Sequence, residues 1–249
     1  MIGMTGMIEV IQTYWVYFLI GQFPDGPLGG LSLTIVLAVG GLLLAFPLGV
    51  ALAIVRMSPW PILSWPVTGV VYVVRGTPLL MVLFWAYFFL PSITGQKISQ
   101  FSTMLGALVL FNAAYLSEIF RAGIQALPTG QFEAARSLGL SYFAALRLVV
   151  MPQVMRNMLP SLVNQFVSTV KDTSLGYIIG LSEVSFIASQ INNLVLTKPT
   201  EIYLVLALAY FIFCFGLSRF AFWLERRYVL RGDRSKMRRP SKIAFTEQT

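Results

Sequence analysis

Long apolar stretches separated by short polar intervals dominate the chain. Four of them, at residues 31–55, 67–90, 101–121 and 202–224, carry few charges over the length of a membrane-spanning helix. A fifth, at residues 153–174, is the least hydrophobic of the set. A helix satisfies its own backbone hydrogen bonds in lipid, so this pattern predicts an all-α polytopic membrane protein with about five transmembrane helices.

The segments outside these spans are shorter or more polar. The apolar run from Ile8 to Ile20 is about thirteen residues long and therefore short for a span. We predict an interfacial helix there, within an outer-face N-terminal segment at residues 1–30, and a sixth span over residues 7–22 is the alternative. Residues 176–200 are predicted to form a shorter helix and an outer loop.

Polar side chains recur along the predicted span at residues 153–174. Their spacing of three or four residues places them on one side of a helix: Asn157, Ser161, Asn164, Ser168 and Asp172, with Gln165 and Thr169 at the edge. An unpaired polar group in hydrocarbon is costly, so this face cannot point towards lipid. Two interpretations stay open, namely hydrogen bonding between helices and the lining of a translocation path.

Small residues and charges mark other helix contacts. Gly41, Ala45 and Gly49 recur every four residues and predict a smooth stripe that another helix can approach closely. Glu118 and Arg121 lie three residues apart on one predicted helix face, which predicts a structural charge pair. A further intramembrane cation has to reach water, a carbonyl or a carboxylate such as Glu118. That cation is Arg75, beside a predicted kink at Gly76-Thr77-Pro78.

The longest polar interval before the C-terminal tail is the loop at residues 125–151. Pro128 ends the preceding helix, and Thr129 or Gly130 can begin a new one. We place Glu133 in the first turn of that helix, where the helix dipole favours a carboxylate. Gly139 fits a left-handed position at the helix end, and Ser141 can cap the next helix. The loop is therefore predicted to be two short helices with a bend.

Composition and charge set the orientation. Hydrophobic residues make up 57% of the 249 residues and charged residues 11%, far below the usual share in soluble domains. If the first span runs from outside to inside, fourteen Lys and Arg residues lie on the cytoplasmic side and only Lys97 and Lys198 outside. This bias predicts an outside N-terminus, a cytoplasmic loop at residues 125–151 and a basic cytoplasmic tail at residues 228–249. The net charge of +8 thus reflects topology, and no nucleic-acid partner is expected.

The residue inventory limits the chemistry. The chain has no histidine and one cysteine, Cys214, so it offers no intramolecular disulfide, no Cys/His metal site and no histidine-based triad. It has no Gly-Lys-Ser/Thr phosphate loop. We therefore expect no catalytic residues, no metal and no cofactor. An intramembrane enzyme would need a Ser-Lys or a paired-carboxylate site, and a secondary transporter would usually show two repeated halves, which we do not see.

Several sequence blocks resemble one family. The run Glu133-Ala134-Ala135, followed by Gly139 and the closing Val149-x-Met151-Pro152, resembles the EAA loop of ABC importer permeases, with conservative apolar replacements in its last block. Arg75-Gly76-Thr77-Pro78, Glu118 to Gly123, and Lys171-Asp172-Thr173-Ser174-Leu175 are similar to the polar amino-acid branch. The resemblance covers roughly residues 28–227. The Asp-Thr-Ser-Leu block and the run from Leu83 to Tyr87 resemble the glutamate/aspartate type.

The resemblance implies a type I permease core at residues 31–227, which forms the transmembrane subunit of an ATP-driven importer in the bacterial inner membrane. It implies an ATP-binding cassette subunit that hydrolyses ATP, a second permease subunit (itself or a sister), an extracytoplasmic solute-binding protein and surrounding lipid. The loop at residues 129–141 would couple to the ATPase through Glu133, Ala134, Ala135 and Gly139. The candidate path for a polar amino acid comprises Arg75, Thr77, Asn164, Ser168, Lys171, Asp172, Thr173 and Ser174. The alternative function is a small secondary transporter or a structural membrane subunit of another complex.

Overall fold

The computed structural model describes residues 4–228, and it confirms the all-α fold. The elements in chain order are α1 (Met4–Ile20), α2 (Gly30–Arg56), α3 (Pro61–Gly76), α4 (Leu79–Phe84), a π-helix (Trp85–Phe89), α5 (Leu90–Thr94), α6 (Gln100–Gln125), α7 (Thr129–Ser137), α8 (Tyr142–Ala145), a second π-helix (Leu146–Val150), α9 (Met151–Asp172), a 3₁₀-helix (Thr173–Ile179), α10 (Val184–Val195) and α11 (Pro199–Tyr228). Apart from its first residue, the predicted tail at residues 228–249 lies outside the described residues.

The pair α2 and α6 forms the centre of the molecule. Gly41, Ala45 and Gly49 are all buried, and they face α6 as their spacing predicts. A Cβ atom built on Gly49 would lie 2.6 Å from Leu116 Cβ, so the absence of a side chain is what permits this helix distance. Leu37 and Leu108 complete the contact in a buried cluster farther along both helices.

The interval at residues 67–90 is broken at the predicted kink, and its crossing of the membrane as one span stays a prediction. The helices α3 and α4 are separate, and the chain bends by 102° between Gly76 and Leu79. Thr77 and Pro78 are both extended. Proline disfavours the helical conformation for the residue before it and lacks the N–H needed to continue the helix, so the Thr77-Pro78 pair makes a full break.

Three helices, α2, α6 and α11, are long and apolar enough to cross a membrane, and the bent α3–α5 unit could make a fourth crossing. The helix α9 coincides with the span predicted at residues 153–174. It is amphipathic, so its crossing of the membrane depends on partners for its polar side and stays a prediction.

The N-terminal helix packs on the rest of the molecule. Val10 and Phe18 of α1 are buried against α10 and α11, where they meet Ile187, Ile202 and Val205. The helix predicted from Ile8 to Ile20 is therefore present, and it begins earlier, at Met4. Its position relative to the membrane stays a prediction.

Candidate functional site

The polar face of α9 points away from the interior of its own chain. The four side chains at its centre, Asn157, Ser161, Asn164 and Ser168, are exposed. On the adjoining side of α9, Val154 and Met158 are buried against α6. Within residues 4–228 none of the four polar side chains makes a hydrogen bond to another residue. The face is therefore open to whatever lies beside the chain.

The residues at the edge of the same face are hydrogen-bonded to α6. Gln165 Nε2 and Thr169 Oγ1 donate hydrogen bonds of 2.8 Å and 2.7 Å to the side-chain oxygen of Asn112 on α6. Asn112 and Thr169 are completely buried. The interpretation as hydrogen bonding between helices is therefore confirmed for the edge of the stripe, while the exposed centre leaves the translocation path a prediction.

The end of α9 and the following 3₁₀-helix divide the candidate path residues. Lys171 is exposed, whereas Asp172 and Ser174 are partly buried. Thr173 is fully buried, and its hydroxyl donates to the carbonyl oxygen of Val170. The structure therefore brings Asn164, Ser168 and Lys171 to the outside of the chain and places Thr173 inside.

A single carboxylate gathers three arginines from three helices. Glu118 Oε2 lies 2.9 Å from Arg56 Nη2 and 3.4 Å from Arg75 Nη1, and Glu118 Oε1 accepts from Arg121. The Arg56 side chain is almost wholly buried and donates a second bond of 3.0 Å to Ser117 Oγ. The predicted pair of Glu118 and Arg121 is present, but it is one part of a larger cluster with three cations and one anion.

Arg75, a candidate path residue, is held by α6. Its guanidinium carbon lies 5.2 Å from the centre of the Tyr115 ring, in addition to its contact with Glu118. Thr77 donates its hydroxyl to the carbonyl oxygen of Val73 and so bonds to the last turns of α3. Glu118 also borders a groove of about 330 Å³ between α6 and α9, where it shares the lining with Asn157 and Ser161. This groove joins the charge cluster to the polar face of α9.

The coupling loop has the predicted form of two short helices with a bend. Gly139 has φ +84°, the left-handed conformation expected after α7, and Ser141 Oγ accepts a hydrogen bond from the Ala144 N–H at the start of α8. The placement of Glu133 in the first turn is wrong. The helix α7 begins at Thr129, so Glu133 is its fifth residue and lies beyond the free N–H groups of the helix start.

The surface of this loop is suited to a partner. The Glu133 side chain is exposed, and its carboxylate makes no hydrogen bond or ion pair within residues 4–228. Leu138 is 85% exposed, while Ala135 is 4% exposed and packs inward. The exposed anionic group lies in the middle of α7 and the exposed apolar group directly after its last residue.

Two features of the site are not predicted from the sequence. Arg56 reads only as the end of a span, whereas its side chain reaches Glu118 across 62 residues of sequence. The second is Asn112, which is the single amide in the apolar run at residues 104–116. A lone amide in an apolar helix needs a hydrogen-bonding partner, and that signal could have identified it.

The chain is similar to known transport proteins along most of its length. Residues 45–230 match the family described as "Binding-protein-dependent transport system inner membrane component". "Inner membrane amino-acid ABC transporter permease protein YhdY" of Escherichia coli is 38% identical over 221 residues, covering 86% of this chain and 60% of that protein. "Glutamate/glutamine/aspartate/asparagine transport system permease protein BztC" of Rhodobacter capsulatus is 37% identical, covering 80% of this chain and 47% of that protein. The chain thus spans about half of the length of these two relatives.

A solved structure extends the match to three dimensions. The "Crystal structure of an amino acid ABC transporter with histidines" aligns with a TM-score of 0.77 and 30% identity, covering 90% of this chain and 98% of that one. Together with the family match, this alignment confirms the resemblance seen in the sequence. The chain therefore belongs to the family of inner membrane components of binding-protein-dependent transport systems, which includes permease subunits of amino-acid ABC transporters.

Proposed function

We propose that this chain is the transmembrane subunit of an ATP-driven amino-acid importer, and that the substrate passes along the exposed face of α9. The observation that carries this proposal is the row of exposed polar side chains, Asn157 to Ser168, on a helix whose apolar side is buried. Lipid cannot solvate such a face. A second permease subunit covers it, and the space between the two subunits is wet.

The chemistry of this lining suits an amino acid. A zwitterion carries a carboxylate and an ammonium, so a lining with fixed cations, fixed anions and neutral hydrogen-bonding groups can bind both. Lys171 supplies a cation and Asp172 an anion at one end of the face. Glu118 with its arginines lies at the other end, bordering the groove beside Asn157 and Ser161.

The proposed substrate is a polar amino acid, with glutamate and aspartate as the first candidates. The cluster around Glu118 has three guanidinium groups for one carboxylate, an excess of two positive charges. The Nε atoms of Arg56 and Arg75 are buried without a hydrogen-bond partner among the described residues. Glu118 itself lines the groove and the arginines lie behind it, so the net positive charge of the cluster would attract an acidic side chain through its field and not by direct contact. The relative BztC, named for glutamate, glutamine, aspartate and asparagine, supports the same substrate class.

Coupling to ATP hydrolysis is proposed to run through α7 and α8. The carboxylate of Glu133, which has no partner in the part of the chain that the structure describes, and the exposed side chain of Leu138 give the loop between α6 and α9 a surface of mixed chemistry. Exposed apolar groups rimmed by polar ones are typical of protein interfaces. The partners are an ATP-binding cassette subunit at this loop, a second permease subunit at α9, and an extracytoplasmic solute-binding protein at the other side of the membrane.

The path is tested by thiol accessibility in the assembled transporter. Single cysteines replace Ser161, Asn164 and Ser168 in a Cys214→Ser background and are exposed to a small water-soluble thiol reagent. We expect all three to react, and glutamate or aspartate to change the rate. Leu43→Cys is the control, because Leu43 is 68% exposed on this chain but lies on the apolar helix α2 and should stay unreactive in lipid. If the three path positions are as unreactive as Leu43→Cys in every state, the path lies elsewhere.

A further inference from the structure

We infer that Asn112 is a positioning residue for transport, because it fixes the rotation of α9 about its own axis and so decides which side chains form the polar face. The inference rests on the proposed function, since the rotation matters for transport only if the substrate passes along that face. Asn112 is completely buried. It therefore acts through α9 and does not touch the substrate itself.

Both ends of the Asn112 amide are hydrogen-bonded. Its oxygen accepts from Gln165 Nε2 at 2.8 Å and from Thr169 Oγ1 at 2.7 Å. Its nitrogen donates to the carbonyl oxygen of Leu108 at 2.8 Å, one turn earlier on its own helix. This last bond orients the amide, so that the oxygen, which can only accept, faces α9.

The two donors determine the orientation of α9. Gln165 and Thr169 lie one turn apart, and each directly follows a residue of the exposed face, Asn164 or Ser168. Neighbouring residues on a helix differ by about 100° in direction. As long as both donors meet one oxygen, Asn164 and Ser168 point away from α6. A turn of α9 by one residue would place them against α6 instead.

No other contact between α6 and α9 fixes their relative rotation as narrowly. Within residues 4–228 the side-chain hydrogen bonds between α6 and α9 all end on the oxygen of Asn112. The other contacts between them are apolar: Met158 and Val154 pack against Gly123 and share a buried cluster with Leu116 and Phe120. Apolar packing of a flexible methionine tolerates small rotations that a pair of hydrogen bonds does not. The geometry therefore assigns the orientation of the face to Asn112.

The test measures orientation directly. In the assembled complex with Cys214→Ser, the rate of thiol modification at Ser168→Cys is compared between native Asn112 and Asn112→Leu, which has the same branched shape, larger methyl groups and no acceptor. We expect Asn112→Leu to slow the modification and to lower the transport rate by roughly tenfold or more, since a displaced binding group loses its alignment with the substrate. Asn112→Asp, which keeps an acceptor oxygen in place, should restore part of the modification rate and part of the transport rate.

A milder pair of variants keeps the test decisive if Asn112→Leu does not assemble. Thr169→Val removes one donor without changing the shape of the side chain. Its matched control is Thr103→Val, because Thr103 is also buried but its hydroxyl bonds only to Ser99 of its own helix start. We expect a slower reaction at Ser168→Cys with Thr169→Val and no change with Thr103→Val.

The outcomes separate the two proposals. If Ser168→Cys is unreactive even with native Asn112, the proposed path fails and this inference fails with it. If Ser168→Cys reacts and neither Asn112→Leu nor Thr169→Val changes its rate or the transport rate, the path stands and Asn112 only bonds two helices together. An equal effect of Thr169→Val and Thr103→Val would also overturn the inference, since the loss of any buried hydroxyl would then slow the modification of Ser168→Cys.

Discussion

Glu118 joins α2, α3 and α6 through one side chain. Its two oxygens form ion pairs with Arg56, Arg75 and Arg121, one from each of these helices. Two of the three cations come from distant parts of the sequence, so the cluster stabilises tertiary contacts. A guanidinium that is almost wholly buried, as in Arg56, depends strongly on its anion because it has little access to water.

The first prediction concerns this carboxylate. Glu118→Gln keeps the shape of the side chain but leaves three arginines without an anion, and we expect the free energy of unfolding to fall by about 3 kcal/mol. Thermal or denaturant unfolding in detergent measures the loss. The control is Glu9→Gln, which breaks the exposed pair between Glu9 and Lys198 and should cost no more than about 1 kcal/mol. Similar losses for the two variants would contradict the central role of Glu118.

At the scale of elements, breaks and bends carry as much information as the helices. Thr77-Pro78 divides one predicted span into α3 and α4 at 102°. Gly139 at φ +84° lets the chain turn from α7 into α8. A Cβ atom on Gly139 would meet no heavy atom within 4 Å, so the requirement for glycine there comes from the backbone conformation alone.

The coupling loop gives the second prediction. We expect Glu133→Lys to abolish ATP-driven uptake, because it reverses the charge of an exposed carboxylate at the proposed ATPase contact, and Gly139→Val to do so by straining the bend. Uptake into vesicles and ATPase activity of the complex are the measurements. Gly95→Val is the matched control, since Gly95 also has positive φ with free space around it but follows α5, away from the loop. Wild-type uptake by both loop variants would contradict the proposed role of this loop in coupling to the ATPase.

At the scale of the whole molecule, the directions of the helices follow from their contacts. The helices α2 and α6 run parallel, because Gly41 meets Leu108 while Gly49 meets Leu116. The helix α9 runs antiparallel to α6, because Gly123 meets Met158 while Asn112 meets Thr169. The coupling loop, which connects α6 to α9, therefore lies at the same end of the bundle as Arg56, where α2 ends.

This arrangement and the charge bias give the third prediction. Fusions with a reporter that is active only outside the cell should be active at Asp25, Gly95 and Thr197, and inactive at Gly130. The physical reason is the excess of Lys and Arg on the side of the coupling loop. Because Asp25 follows α1 and precedes α2, it stays outside whether or not α1 spans. An inactive reporter placed ahead of α1, together with an active fusion at Asp25, would show that α1 crosses the membrane as a sixth span. Inversion at all four sites would contradict the orientation.

The sequence by itself determined the features that depend on local chemistry. Apolar length predicts the helices, four-residue spacing predicts the small stripe of α2 and the polar face of α9, and Pro128, Gly139 and Ser141 predict the bent loop, because each of these depends on near neighbours along the chain. The single error in the loop, Glu133 in the first turn, followed from an uncertain helix start.

Only the tertiary structure decided which groups meet across long sequence separations. Sequence spacing could pair Glu118 with Arg121, but it could not bring Arg56 and Arg75 to the same carboxylate, because those contacts depend on how three helices pack. It identified a polar face on α9 but could not separate the exposed Asn164 and Ser168 from Gln165 and Thr169, which bond to Asn112. That division depends on the rotation of α9 against α6, and a helical pattern repeats in the same way whichever side faces inward.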